Sequence, residues 1–422
     1  MNSFFKKVTT VETSIKMLLA ILVFTIPSNL FKTFFENTAY VHGLLIDYLI
    51  PKIHLSDFLI GFLFLYIFAF KKNRDTLFSA FKKVSYVPLV VLLLFVLFIN
   101  QLFLAHSLIA VLFFVRVLLL TCIGTVLIQQ KNILQSKIMN IAITCTVLFQ
   151  SLLAWYQFLN QKSFYGYYFL GETNLHSYAG IAQSTFLGSQ KILPYGTTAH
   201  PNILAGSLVL FVFALFNSLP ADGKIRKVRI LTILFAISVI LLTQSFSAIV
   251  GLALGFLMVL LLKRFKLTVT TQQFLSFFLA FNLIVICILA QFSTKQTQDL
   301  TSITRRAYLN EAAVTMILDN PIRGVGLHNF TAQVEKYSQT QEVVRFTQPA
   351  HNILLLLTAE TGIIGLSLIG IIVLPLLRKK IKCEHPEYIL ALMPIALLDH
   401  YLITLQSGLL LLFLAILFAC KK

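Results

Sequence analysis

The chain has 422 residues, of which 58% are hydrophobic and 12% charged, and its mean hydropathy is +0.85. So large an apolar excess excludes a soluble globular protein, and apolar runs of roughly 20 residues, long enough to cross a bilayer as helices, recur along the chain. A net charge of +18 would point to nucleic acid in a soluble chain, but the placement of the basic residues gives a different reading.

Hydropathy predicts about twelve spans, at 14–34, 54–70, 85–104, 107–129, 137–157, 200–218, 228–244, 247–262, 273–291, 352–377, 388–403 and 405–420. The expected fold class is all-α, a single polytopic membrane domain over residues 1–422. The first run lacks a small-residue cleavage site and breaks at Pro27, so it is not read as a removable signal. Basic residues gather in alternate connections: Lys6, Lys7 and Lys16; Lys71, Lys72, Arg74, Lys82 and Lys83; Lys131 and Lys137; Lys224, Arg226, Lys227 and Arg229; Lys263, Arg264 and Lys266; Arg378, Lys379, Lys380 and Lys382; Lys421 and Lys422. The positive-inside rule then puts both termini in the cytoplasm of a multi-pass inner-membrane protein. The basic excess marks topology, with anionic lipid as a partner and no nucleic acid. Arg116, in the middle of a span, must be paired or face a cavity. Of the five cysteines, Cys122, Cys145 and Cys287 fall in spans and Cys383 and Cys420 on the cytoplasmic side. No external disulfide and no metal site follow from their spacing.

Two external segments are sizeable, 158–199 and 292–351. In the second, TSITRRAYLNEAAVTMILDN offers Ser302 or Thr304 as a helix cap and sets Ala307, Leu309, Ala313, Met316 and Ile317 on one stripe. Pro321, Gly324 and Gly326 end that helix, so one or two interfacial helices are expected over the bundle. The charges of this loop nearly balance, with Lys295, Arg305, Arg306, Arg323, Lys336 and Arg345 against Asp299, Glu311, Asp319, Glu335 and Glu342. An anion there is bound by a placed guanidinium fork and not by bulk field. Taken alone, either arginine is equally explained by pairing with Glu311 or with a lipid phosphate.

Four stretches carry the remaining polar chemistry: PYGTTAHPNILAG (194–206), LLTQSFSAIVGL (241–252), RRAYLNEAAVTMILDNPIRGVGLHNF (305–330) and PAHNILLLLTAETGIIGL (349–366). Pro201 suits the first turn of a helix, so His200 by itself reads as a loop-to-helix residue and Asn202 as its support. His351 alone is equally an interfacial ring bonded to backbone. Glu360, nine residues on, lies about 180° around the helix from His351 and about 13.5 Å along it. It is therefore read as a buried polar partner at a helix break near Gly362, not as a second catalyst. Asp399 and His400 fall near a short external turn, where exposure explains them.

With LGE at 170–172, these stretches resemble the O-antigen ligase/polymerase family of integral-membrane glycosyltransferases over roughly residues 165–368. Residues 1–160 and 380–422 match only as hydrophobic spans. The resemblance implies metal-independent transfer of a glycan from an undecaprenyl-diphosphate carrier on the outer face of the cytoplasmic membrane, with inversion at the anomeric carbon. The acceptor is a glycan, a lipid or a protein, and no cofactor is expected. The family's loop histidine falls on His351 and its diphosphate-binding arginine on Arg305 or Arg306. Lys191, His200, Asn202, Arg323 and Asn352 are the candidate substrate-binding residues. Where the family has arginine after T-x-S this chain has Phe246, and two residues before the tyrosine of Y-G-T it has Leu193, with Lys191 nearby. The residues suit the chemistry on their own, since a preorganised arginine can stabilise a leaving diphosphate and a histidine can take a hydroxyl proton. A transporter or flippase of lipid-linked glycan is the rival reading. Such proteins often show repeat symmetry and midplane charges, whereas no repeat is visible in these loops and the polar residues gather at one face.

Cysteine labelling tests the topology: residues near 165–195 and 295–345 should react from outside, and 220–228 and 378–386 only after permeabilisation. Labelling of the Arg305 region only in permeabilised cells overturns the external placement of the chemistry.

Overall fold

In the computed structural model the described residues are 2–82, 92, 94–99, 107–176, 180–186, 188–220, 222–265, 269–293, 302–338, 347–378 and 385–419. The expected span 85–104 lies largely outside them, as do Lys379, Lys380, Lys382, Cys383 and Cys420.

The chain is mostly helical. Helices α1 (Asn2–Thr25), α2 (Leu55–Phe68), α3 (Lys71–Lys82), α4 (Ser107–Leu127), α5 (Lys131–Leu134) and α6 (Lys137–Asn160) make the first half. Then come α7 (Pro201–Asn217), α8 (Gly223–Leu242), α9 (Phe246–Phe265) and α10 (Thr271–Ser293), with α11 (Ser302–Asp319) and α12 (Phe330–Tyr337) after them. Helices α13 (Ile353–Arg378), α14 (Glu387–Leu398), α15 (Tyr401–Thr404) and α16 (Gln406–Ala419) complete it. Four helical segments are long and apolar enough to cross a membrane: Leu108–Leu127, Lys137–Asn160, Phe246–Phe265 and Ile353–Ile371. Shorter apolar helices accompany them at Leu55–Phe68, Pro201–Asn217, Leu275–Ile288, Glu387–Leu398 and Gln406–Ala419. Among the described residues, then, four helical segments have full spanning length where hydropathy predicts about twelve spans along the whole chain, and the expected span 388–403 is broken at Asp399, which leaves the helix with φ −150° and ψ 161°.

The hub is α7. Its sequence is apolar all round, and Ile203 to Leu215 are buried without interruption; a helix without a polar face must be enclosed on every side. Helices α1, α2, α4, α6, α8, α9, α14 and α16 share one core with it. Close approach is built from small residues: a Cβ on Gly251 of α9 would lie 2.1 Å from the Ala391 carbonyl of α14. Arg116, costly inside a span, is paired as its position demands. Its Nε and Nη2 donate to Asp57 at 2.9 and 2.7 Å, and Nη2 also donates to the Lys52 carbonyl at 2.7 Å.

On one face of the bundle lie strands that hydropathy does not suggest. Strand β1 (Phe31–Thr33) pairs with β4 (Lys52–His54), β2 (Tyr40–Val41) with β3 (Leu44–Leu45), and β5 (Gln183–Phe186) with β6 (Ser189–Ile192), all antiparallel. His42 and Gly43 turn the inner hairpin, both at positive φ (47° and 82°) as a tight hairpin turn requires.

Two helices form in the 292–351 segment, α11 and α12. Of the anticipated stripe, α11 buries Leu309, Ala313 and Met316 in one cluster with Leu356 and Ala359 of α13, with Ile317 partly buried against it, and Ala307 is buried as well. Thr304 is not its cap; it lies inside the helix and is buried. The turn after α11 docks on a break in α13, where Gly362 has φ 60° and ψ −157°, a region open essentially to glycine alone. Val325 and Gly326 N–H donate to the Ala359 and Glu360 carbonyls at 2.9 Å each, and Ile363 N–H to the Pro321 carbonyl at 2.8 Å. The Glu360 carboxylate accepts from Phe330 N–H at 3.3 Å, so it is the buried partner expected at the break.

Gly362→Ala should therefore be severely destabilising. Its Cβ would stand 2.4 Å from the Ile322 carbonyl oxygen, and the backbone strain alone costs about 1–3 kcal/mol. A melting temperature of the purified variant equal to that of the parent would contradict the docking.

Candidate functional site

Five segments converge beside the N-terminus of α7. His200 is the N-cap of that helix, with Pro201 in its first position, and its Nδ1 accepts from Asn202 N–H at 3.2 Å. Asn202 then reaches the break between α14 and α15 and donates from Nδ2 to Asp399 at 2.8 Å. His351 precedes α13, whose cap is Asn352: its Oδ1 accepts from Leu355 N–H at 3.1 Å and its Nδ2 donates to Asn282 of α10 at 2.7 Å. Near the N-terminus of α11, Arg306 donates from Nε to His351 Nδ1 at 3.5 Å.

The centre is His351, Asp399 and His400. His351 Nδ1 is 3.7 Å from the Asp399 carboxylate, its Nε2 is 3.2 Å from Gln348 Oε1, and its ring meets that of His400 edge-on at 4.9 Å. Since Arg306 can only donate, Nδ1 carries the lone pair and Nε2 the proton, an assignment made from the hydrogen-bond network. His400 Nδ1 is 2.7 Å from Thr404 Oγ1 and its Nε2 is 3.4 Å from the Tyr48 hydroxyl. His351, Asp399, His400, Gln348 and Tyr48 line a cleft of about 250 Å³, shared with Asn29, Phe31, Asp47, Lys52, His54 and His200.

Burial and charge hold both central rings neutral. His351 is pushed well below the ordinary histidine range, first by burial and then by His400 and Arg306. His400 is lowered to about 3 by burial, His200 and Arg306. Burial raises the Asp399 carboxyl, while Arg306 and Asn202 oppose that rise.

Of the residues singled out from sequence, the structure gathers His351, Arg306, His200 and Asn202. Arg306 is the arginine whose charge reaches His351, Asp399 and His400. Asn352 acts as a helix cap, one bond behind the site. Lys191 lies in β6 opposite Ser184, and Arg323 is exposed in the turn after α11; neither lines the cleft. Asp399 and His400 are the correction. Exposure at an external turn was expected, yet both are only 4% exposed, because the broken helix folds them inward. A DH pair amid an apolar run was the available signal, since buried charge in such a run requires partners.

Donor atoms of His351, Asp399 and His400 lie within 4.8 Å of one another, close enough to hold a metal ion. The surroundings fit that use poorly. Arg306 directs a guanidinium at His351 Nδ1, and both His400 ring nitrogens already face hydroxyls. A cation would have to displace these and tolerate the arginine charge.

Fold and site together define a polytopic helical membrane protein with its buried polar chemistry in one cleft. Residues 231–370 match the family model described as O-Antigen ligase, which supports assignment of the chain to the O-antigen ligase/polymerase family. No curated protein and no solved structure matches the chain significantly. The matched stretch contains Arg306 and His351, whereas His200, Asn202, Asp399 and His400 come from outside it.

The neutral histidines imply a pH dependence of stability. For His400 the folded value is about 3 and the unfolded value about 6.5. Between these the unfolded chain binds the extra proton, so stability falls as pH drops below about 6.5 and is unaffected above it. Each such histidine contributes at most about 1.4 kcal/mol per pH unit. The melting temperature in detergent should decline from pH 7 to pH 5, and His400→Asn should flatten the decline; an unchanged slope in that variant refutes the assignment.

Proposed function

We propose that this chain is a membrane glycosyltransferase of the ligase type. It moves a glycan from an undecaprenyl-diphosphate carrier to an acceptor hydroxyl at the outer face of the cytoplasmic membrane, in a twelve-span topology with both termini inside. One observation carries the reading. The Arg306 guanidinium meets the ring of His351, which lines a cleft of the helical bundle, with the Asp399 carboxylate 3.7 Å from the same ring nitrogen.

Each residue then has a task. Arg306 binds the diphosphate and stabilises the charge that develops as the anomeric C–O bond breaks and the leaving group takes the electron pair. The acceptor hydroxyl oxygen bonds to the anomeric carbon from the opposite side, which inverts it. Its proton passes to His351 Nδ1, and the new positive charge is stabilised by Asp399, itself fixed by Asn202. The order of events explains how a strongly depressed histidine can serve as base. A diphosphate on Arg306 offsets the positive charge that disfavours the imidazolium, raising the proton affinity of His351 when the donor is in place. No step needs a metal or a gradient.

The acceptor is a carrier-linked glycan, giving polymerisation, or a lipid core, giving ligation. Single-repeat carrier lipids accumulating in a deletion strain identify polymerisation, and full-length carrier-bound chains identify ligation. Purified protein in micelles, given carrier-linked glycan extracted from such a strain, should form product without any gradient. A strict gradient requirement would instead support the transporter reading.

In that assay His351→Ala should lower turnover by about 10²–10⁴-fold, the usual yield of general base catalysis. His351→Gln keeps a polar side chain but cannot take the proton, so a near-normal rate would reduce His351 to positioning. Arg306→Ala should weaken donor binding, with poor rescue by lysine because a point charge does not reproduce the fork. Full activity of Arg306→Ala would move the diphosphate site elsewhere.

A further inference from the structure

The cleft has a second wall that the proposed chemistry does not use. Residues 29–54 cross its mouth as the β1–β4 ribbon with the β2–β3 hairpin at its tip, and Phe31, Asp47, Tyr48, Lys52 and His54 line the same cavity as His351 and Asp399. The wall is held from several sides. Phe31 N–H donates to the Tyr167 hydroxyl at 3.0 Å, and that hydroxyl donates back to the Phe31 carbonyl at 2.5 Å. Asn29 N–H bonds the Thr197 carbonyl at 3.0 Å, Arg116 holds the Lys52 carbonyl, and His42 pairs with Glu335 of α12. Ile46 and Leu49 close the underside against Ala332. So firmly fixed a segment presents its side chains in one geometry.

The two walls differ chemically. Arg306 brings a positive charge beside His351. On the opposite wall Lys52 and Asp47 form an ion pair at 2.6 Å and cancel. Around that pair stand the ring of Phe31, with Lys52 Nζ 4.8 Å from its centroid, and the phenol of Tyr48. A dianionic diphosphate gains nothing from a neutral wall. A neutral polyol suits it, because a carboxylate, an ammonium and a phenol offer both acceptors and donors next to aromatic surface. The Tyr48 hydroxyl also reaches His400, so a ring seated on this wall has its hydroxyls within the reacting cluster. At about 250 Å³ the cleft falls below the roughly 300–1,000 Å³ of pockets for whole drug-sized ligands. It therefore takes one terminal ring and not a chain.

We infer that the 29–54 wall is the acceptor subsite, and that Asp47, Tyr48 and Lys52 recognise the terminal sugar ring whose hydroxyl is glycosylated. This rests on the glycosyl-transfer reading above. Two probes separate the two claims, with purified full-length protein in nanodiscs. Saturation-transfer NMR with a panel of methyl hexosides and methyl N-acetylhexosaminides reports on the wall, and titration with inorganic diphosphate reports on Arg306. The double variant Asp47→Ala with Lys52→Met keeps the wall neutral and removes the hydrogen-bonding groups of both side chains. At least one glycoside should bind the parent, and its signal should fall fivefold or more in the double variant while diphosphate affinity stays within twofold, which also shows the variant is folded. Glycoside binding that survives the double variant, or a panel that shows no binding to the parent, overturns the inference. If diphosphate binding is lost equally, Tyr48→Phe, which keeps the packing, decides: loss of the glycoside signal alone supports the inference, and retention of that signal or loss of both overturns it by placing the wall on the donor side or in the framework. Failure of diphosphate to bind the parent would count against the glycosyl-transfer reading instead.

Discussion

At Gly362 the backbone of α13 leaves the helical region, and the carbonyls around the break accept hydrogen bonds from Val325 and Gly326 while Ile363 N–H returns one to Pro321. Backbone groups freed inside an apolar bundle must find partners, and these partners come from the turn that ends α11. Gly324 and Gly362 permit the approach: a Cβ on Gly324 would lie 2.3 Å from the Glu360 carbonyl carbon. Helix α11 is thereby locked to α13 at one end and packed along it through Leu309, Ala313 and Met316. Arg306 near the other end of α11 then meets His351 at the start of α13. A guanidinium on a long connecting segment and a ring beside a membrane helix come into register because the two backbones are joined some four turns away.

That constraint separates what was legible in the sequence from what was not. Periodicity revealed the buried stripe of α11, HPN marked the start of α7, and the cost of a charge in a span implied a partner for Arg116. Glu360 was legible as a partner at a break because helix geometry puts it on the far side of α13 from His351. Local pattern could not tell Arg305 from Arg306. They differ by about 100° of helix rotation, and the lock to α13 brings Arg306 to His351.

Asp399 and His400 were misread for a related reason. Hydropathy averages over a window, so residues 388–403 pass as one span with a polar end. The chain instead stops at Asp399, restarts at Tyr401 and turns both side chains inward, where Asn202, Thr404 and Tyr48 satisfy them. Irregular backbone at such a place is tolerated where protein or a cavity surrounds it. The 29–54 ribbon escaped notice because its strands are only two or three residues long. Its one local signal was His42-Gly43 between short apolar pairs.

The charges of the cleft have an order that single residues do not show. Arg306 brings one positive charge and Asp399 one negative, and burial keeps His351 and His400 neutral between them. A resting cleft of nearly zero charge avoids the cost of isolated buried ions. An anionic group bound at Arg306 would offset one of the charges that add to burial in disfavouring protonation of His351. A histidine already charged could not accept a proton, and one surrounded only by carboxylates would be charged at rest. Burial does most to keep the ring neutral and the adjacent arginine adds to it, so in the proposed mechanism an anion paired with that arginine would ease protonation through one contact of 3.5 Å.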